Sequence, residues 1–254
     1  MIKNDNTSSH FPDSKIYTVG EIVKDFCDYP FISIQSKRRT GKSVLVRDIV
    51  YHLLTEHERN PNYMTFDIIF LFSDTAVEED NEDYKFINDF MKKHPEKARI
   101  YDASQATVNK KINSIKRWIK ECKEKKKRQP NIIIIFDDVN IEQNRPPAQL
   151  VDLAIKGRHK HILTIVSTQF SSAYLSPQIR GNCDYIFFSI LSNSYKEKIY
   201  DNLVTSLSKK EFMEWADNNT KNFEFIMYDN YNHKGQTLKL VKAKIYKKLQ
   251  LHLS

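Results

Sequence analysis

At roughly 150 residues per domain, a chain of 254 residues is expected to form one large domain or one domain with an appendage. Hydrophobic residues make up 40% and charged residues 28%, which excludes a wholly disordered or collagen-like chain. Lys and Arg number 40 against 32 Asp and Glu, and the net charge of +8 favours a polyanionic partner, although Lys-, Asn- and Ile-rich usage also suits an AT-rich coding sequence. The longest aliphatic-aromatic runs, Ile68 to Phe72 and Ile132 to Phe136, fall far short of the roughly 20 residues a membrane helix needs. The first ten residues have no apolar stretch of the kind a signal peptide carries, so an intracellular protein is expected. Cys27, Cys122 and Cys183 are widely spaced and odd in number, which argues against a disulfide framework or a zinc site.

Residues 1 to 15 are polar and read as a flexible lead-in. Thr18 and Glu21 have capping-box spacing ahead of Ile22, Val23 and Phe26, predicting a short helix that ends near Asp28 and Pro30. Phe31 to Gln35 is strand-like; a polar loop from Ser36 to Gly41 follows, then Val46, Ile49, Val50, Leu53 and Leu54 at helical spacing. Further strands are expected at Phe66 to Phe72, Arg99 to Tyr101, Ile132 to Phe136, Ile162 to Val166 and Tyr185 to Ile190. Between them, Thr107 to Lys127 places Val108, Ile112, Ile115 and Ile119 on one helical face, and Ala148 to Ile155 carries a shorter stripe. Alternating strands and helices predict an α/β fold with a mainly parallel central sheet covered by helices on both faces. Beyond Leu191 come a helix near Ser194 to Leu203, another capped by Ser208 with Glu211, and strand-like stretches at Phe223 to Tyr228 and Leu238 to Tyr246. The expected organisation is a lead-in over 1–15, a core over 16–191 and a small C-terminal extension over 192–254.

The chain holds five glycines, and Gly41 stands directly before Lys42 and Ser43 at a strand-to-helix junction. Ser36, Lys37, Arg38, Arg39, Thr40, Gly41, Lys42 and Ser43 match the phosphate-binding pattern G-x-x-x-x-G-K-S/T except at the first position, where Ser36 replaces glycine. In such a loop backbone N–H groups and the helix start face the β-phosphate, Lys42 neutralises β and γ oxygens, and Ser43 offers a hydroxyl to Mg²⁺. If the first position needs positive φ, Ser36 is strained there. Asn131 to Asp138 then reads as a buried strand ending in two carboxylates, as in a Walker B element. Asp137 is the candidate Mg²⁺ residue, and Asp138 the residue that orients or deprotonates the attacking water. The plainer alternative is that both carboxylates cap a loop. A third apolar strand ends in Ser167, Thr168 and Gln169. Should it lie between the other two, Gln169 reaches the γ-phosphate; otherwise Gln169 is a turn residue. His159 and His161 read as surface residues rather than metal ligands.

Over roughly residues 30 to 190 the sequence resembles the FtsK-HerA branch of P-loop ATPases, and within it the poxvirus-type and giant-virus DNA packaging ATPases. The resemblance rests on Thr40-Gly41-Lys42-Ser43, the IIIIFDD strand, GRHKHILTIVSTQ from Gly157, and the stretch from Leu175 through Pro177, Arg180 and Asn182 to Asp184. It implies a P-loop NTPase fold of the ASCE, RecA-like class, with ATP and Mg²⁺ as cofactors. It further implies a homo-oligomeric ring, pentameric or hexameric, that pumps double-stranded DNA irrespective of sequence into a preformed capsid. A capsid or membrane-associated vertex protein becomes a possible partner, and the host cytoplasm, a viral factory or the virion the expected location. In such rings an arginine reaches the nucleotide on the neighbouring subunit; Arg158 is the first candidate and Arg180 the second, with structural ion pairs as the alternative for each.

The sequence departs from the family pattern at Ser36, in the basic run Lys37-Arg38-Arg39, and at Asp138, where cellular relatives usually carry glutamate. Two other readings therefore stay open: a plasmid- or transposon-borne DNA translocase or helicase, and a degenerate nucleotide-binding scaffold. DNA contacts are expected either from Val139 to Leu150, with Asn140, Gln143, Asn144 and Arg145, or from the basic face Lys116, Arg117, Lys120, Lys123, Lys125, Lys126, Lys127 and Arg128. A motor handling any sequence would contact phosphates and weaken steeply with salt.

Overall fold

The computed structural model describes residues 15–77, 84–138, 148–169, 176–203, 207–232 and 238–245. The first half runs β1 (Ile16–Thr18), α1 (Val19–Val23), β2 (Phe31–Ser36), α2 (Lys42–Arg59), β3 (Ile68–Phe72), α3 (Lys85–Lys93), β4 (Ala98–Tyr101) and α4 (Gln105–Glu124). It continues with β5 (Ile132–Asp137), α5 (Ala148–Lys156), a 3-10 turn at Arg158–Lys160, β6 (Ile162–Thr168), α6 (Pro177–Arg180) and β7 (Tyr185–Ser189). The remaining elements are α7 (Asn193–Leu203), α8 (Lys209–Asn218), β8 (Glu224–Asp229) and β9 (Leu238–Lys242).

All nine described strands join one sheet in the order β1-β9-β8-β7-β2-β6-β5-β3-β4. Only β8 opposes its neighbours; every other pairing is parallel. Parallel strands are buried on both faces, so β5 tolerates Ile at four successive positions, each fully buried. The two-residue side-chain period divides them: Ile133 and Ile135 join one core, Ile132, Ile134 and Phe136 the other. The first core also takes in Ile22 of α1, Ile49 of α2 and Phe90 of α3. The second is closed by Ile112 of α4, Leu153 of α5, Ile199 of α7 and Phe212 of α8.

Several expectations shift on contact with the fold. The Thr18–Glu21 capping box forms, but α1 stops at Val23, where the amides of Asp25 and Phe26 turn back onto the carbonyls of Ile22 and Val23. Helix α4 ends at Glu124 rather than Lys127, because Lys126 turns left-handed (φ 52°). Strands β8 and β9 extend the main sheet from β7, and β1, from a segment with no strand signal, pairs with β9 at the far edge. Helix α3 was not evident from the sequence either. Residue 246, the end of the expected last strand, lies outside the described residues, as does the lead-in over 1–14.

Candidate functional site

The strand order determines the site. Strand β6 lies between β2 and β5, with Gln35 opposite Thr168 and Asp137 opposite Ser167. Three strands therefore end side by side at one edge of the sheet, carrying Ser36, Asp137–Asp138 and Gln169. This is the neighbour relation on which the γ-phosphate role of Gln169 depends, and its Nε2 donates to Asp138 Oδ2 at 3.1 Å.

The phosphate-loop sequence leaves β2 and enters α2 through Gly41, which is left-handed at φ 94°. No side chain caps this helix start, so its first N–H groups and the positive end of its dipole face outward, the arrangement that attracts an anion. The positive-φ positions of the loop are Arg39 (59°) and Gly41; Ser36 is ordinary strand backbone, so the absent glycine costs no strain. Its Oγ instead donates to the Ser189 carbonyl on β7 at 2.5 Å and lies 2.5 Å from Thr40 Oγ1, which donates to Lys37 O. The Ser36 hydroxyl thus ties the loop to the neighbouring strand. Lys37, Arg38 and Arg39 are exposed.

Lys42 is 7% exposed, and its Nζ donates to the carbonyls of Ser36 (3.2 Å) and Lys37 (2.9 Å). Burial pushes its ammonium below the ordinary lysine range, against the pull of Asp138 and Asp137. Asp137 is 5% exposed, and burial pushes its carboxyl up to about 6; the Asp138 charge adds to the rise, while Ser167, Tyr84 and Lys42 oppose it. A buried carboxylate of this kind is a place where a cation relieves an unfavourable charge. Ser43, one residue past Lys42 in the first turn of α2, is partly buried. Asp138 itself is exposed and left-handed (φ 48°), a conformation Asp tolerates better than most residues.

This is the P-loop NTPase fold. The genome packaging NTPase B204 of Sulfolobus turreted icosahedral virus 2, solved with ATP-γS, superposes with a TM-score of 0.59 over 87% of this chain and 100% of its own, at 17% identity. B204 of Sulfolobus turreted icosahedral virus, described as a DNA-packaging ATPase, gives 0.60 with the same coverage and identity. The conjugation coupling protein TcpA, with ATPγS, gives 0.53 over 85% of this chain and 60% of its own, at 14% identity. In sequence, an uncharacterised protein of Acanthamoeba polyphaga mimivirus is 28% identical over 180 residues, 68% of this chain. The chain spans 57% of that relative's length. No protein-family model matches.

Within this chain, Arg158 and Arg180 lie away from the Ser36–Ser43 loop. Both line a groove of about 860 Å³ with Phe31, Ile162 and Asp184, at the edge where the parallel strands begin. The Arg158 guanidinium donates to Asp184 Oδ1 (2.5 Å), whose other oxygen accepts from the Phe31 amide (2.8 Å). The Arg158 side chain remains 45% exposed. His161 is structural: its ring stacks on Tyr29 at 4.8 Å, and Asn131 Oδ1 contacts both the Tyr29 hydroxyl and the imidazole.

The basic face of α4 is partly neutralised. Lys116 bonds Asp152 at 2.6 Å, Lys120 pairs with Glu124 and Arg128 with Asp67, whereas Lys123, Lys125, Lys126 and Lys127 are exposed. The rival DNA-contact segment falls outside the described residues over 139–147; Ala148 to Leu150 opens α5. All three cysteines are buried thiols, and no described helix is long and apolar enough to cross a membrane.

Sequence reasoning missed the neighbours the loop gains from the C-terminal third. Phe223 abuts Gly41, Ser189 receives Ser36, and the Lys244 amide donates to Asp48 of α2 at 2.7 Å. These segments are distant in sequence, and no local pattern marks them.

Proposed function

We propose that this chain is a Mg²⁺-dependent ATPase that drives double-stranded DNA and works as a viral genome-packaging motor in a homo-oligomeric ring. The observation that carries the reading is the convergence of Lys42, Asp137, Asp138 and Gln169 on one edge of the sheet. The N-terminus of α2 and Lys42 would bind the phosphates, Lys42 exchanging its bonds to the loop's own carbonyls for charged ones. Ser43 and Asp137 would hold Mg²⁺, which when bound neutralises charge on the triphosphate. Asp138 would orient the attacking water or take its proton, and Gln169 would fix that carboxylate and monitor the γ-phosphate from the end of β6.

Arg158 and Arg180, at the opposite edge of the sheet, act in trans in this reading: the groove edge of one subunit meets the phosphate-loop edge of the next. Asp184 then holds Arg158 at the rim until a negative charge is presented. The exposed lysines in the last turn of α4 and just beyond it supply sequence-independent phosphate contacts. The viral packaging NTPases of the same fold and the mimiviral relative support a viral genome as the cargo. The likeness to TcpA favours, as a second reading, conjugative DNA transfer by the same chemistry.

The test is steady-state ATP hydrolysis with and without double-stranded DNA, comparing the parent with Lys42→Ala and Arg158→Ala. DNA-stimulated turnover is expected, lost in both variants, with Arg158→Ala rescued by admixed Lys42→Ala subunits that donate their arginine. Unchanged turnover in Lys42→Ala overturns the site; loss without rescue overturns the action of Arg158 in trans.

A further inference from the structure

The phosphate-binding edge carries acidic and amide groups on one side of β2 and two exposed large apolar side chains on the other. Toward β6 and β5 stand Gln169, Asp137 and Asp138. Toward β7 and β8 stand Ile190 and Phe223, the residues just past the end of β7 and just before the start of β8. Ile190 is 41% exposed and Phe223 36%, although both are large apolar side chains. Each also holds a left-handed backbone, φ 39° for Ile190 and 64° for Phe223, the latter preceded by Asn222 at 52°. A β-branched or bulky residue rarely adopts that conformation, and strain of this kind gathers at ligand sites.

The fold fastens these residues to the phosphate loop. Ser36 Oγ donates to the carbonyl of Ser189, and Ser189 Oγ donates to Glu224 O at 2.7 Å, so the flanking residues of Ile190 and Phe223 are bonded to each other and to the loop. The Phe223 amide plane is held on its other side by the Ala243 N–H, which donates to its carbonyl at 3.0 Å. The Phe223 ring lies against Gly41: a Cβ built on that glycine would meet Phe223 Cδ1 at 2.2 Å. An exposed aromatic ring therefore borders the N-cap residue of the anion-binding helix.

This inference rests on the reading of Ser36–Ser43 as a nucleotide phosphate loop. If the γ-phosphate end of the nucleotide points toward Asp138 and Gln169, the nucleoside end leaves β2 in the other direction, toward β7 and β8. We propose that Phe223, flanked by Ile190, is the platform on which the nucleobase packs. The ring contributes a planar apolar face and Ile190 an aliphatic edge, so the base is recognised by stacking area and a purine is held more tightly than a pyrimidine.

The experiment measures binding of ATP, CTP and inorganic tripolyphosphate to the full chain by calorimetry, for the parent, Phe223→Ala and Phe223→Trp. Tripolyphosphate carries the charge without the base, and its retained binding reports that a variant is folded with an intact loop. Phe223→Ala is expected to weaken ATP binding by about 5- to 150-fold, the range for losing one base–aromatic stack, with tripolyphosphate unchanged. Phe223→Trp should restore ATP binding, and the parent should bind ATP more tightly than CTP. If Phe223→Ala weakens ATP and tripolyphosphate equally, the ring only supports Gly41 and the platform is refuted. If neither changes, the base lies elsewhere and the platform is refuted while the phosphate loop stands. If the parent binds no tripolyphosphate and no ATP, the phosphate-loop reading fails and takes the platform with it.

Discussion

Replacing Asp137 with Asn removes a buried charge while keeping the shape of the side chain. Burial has raised this carboxyl from an ordinary value of 3.8 to about 6, so the folded chain holds its proton more tightly than the unfolded chain does. The sign follows from linkage. Below pH 3.8 the carboxyl is neutral in both states and costs nothing; as pH rises toward 6 the unfolded chain ionises first, and stability is lost. Above pH 6 the folded chain carries the full penalty, about 3 kcal/mol at 1.36 kcal/mol per tenfold change in proton affinity. The same relation leaves about 1 kcal/mol at pH 4.5. Asp137→Asn should therefore unfold at higher urea concentration than the parent at pH 8, with an advantage that shrinks by about 2 kcal/mol at pH 4.5. It should also lose nucleotide hydrolysis, because the same buried carboxylate is the one a bound cation would satisfy. Equal stability of variant and parent at both pH values, or an advantage independent of pH, would refute the account of Asp137 as a buried charge whose partners only partly offset its desolvation.

The other residues of the site make further expectations. Gln169→Ala removes a hydrogen bond to an exposed Asp138, so thermal stability should move by less than about 1 kcal/mol while ATP turnover falls; a fall in nucleotide affinity instead of turnover would contradict its placement beside Asp138. Gly41→Ala puts a Cβ on a residue at φ 94° and 2.2 Å from Phe223 Cδ1, and should cost at least about 1–2 kcal/mol of stability, measured by denaturant unfolding; a neutral result would mean that the loop readily reshapes. Neutralising Lys123, Lys125, Lys126 and Lys127 together should flatten the salt dependence of DNA binding, read as the slope of log affinity against log salt, and an unchanged slope would move the DNA contacts to another surface.

Much of this protein was legible in one dimension because its signals are local. A buried parallel strand needs a short apolar run, so IIIIF at 132–136 and ILTIV at 162–166 marked two central strands. The capping boxes at Thr18 and Ser208 set helix starts through bonds three residues apart. The candidate site was legible where a motif demands fixed spacing, as in Thr40-Gly41-Lys42-Ser43 and the paired Asp137-Asp138. Strand β1, three residues long, is stabilised by pairing with β9 and not by its own pattern, so it left no mark. Ser36 looked doubtful in sequence because its φ was unknown; the fold gives it ordinary strand backbone and a partner on β7.

What the sequence by itself determined was the candidate loop Ser36–Ser43, the acidic pair Asp137–Asp138, and the strands that carry them. Sequence order could not say that β6 inserts between β2 and β5, because strand pairing is settled by burying both faces of the sheet at once. That insertion puts Gln169 beside Asp138, and the same packing sends Arg158 and Arg180 to the far edge of the sheet and Phe223 against Gly41. Each of these juxtapositions joins residues remote in the chain, and long-range contact is a property only of the folded whole.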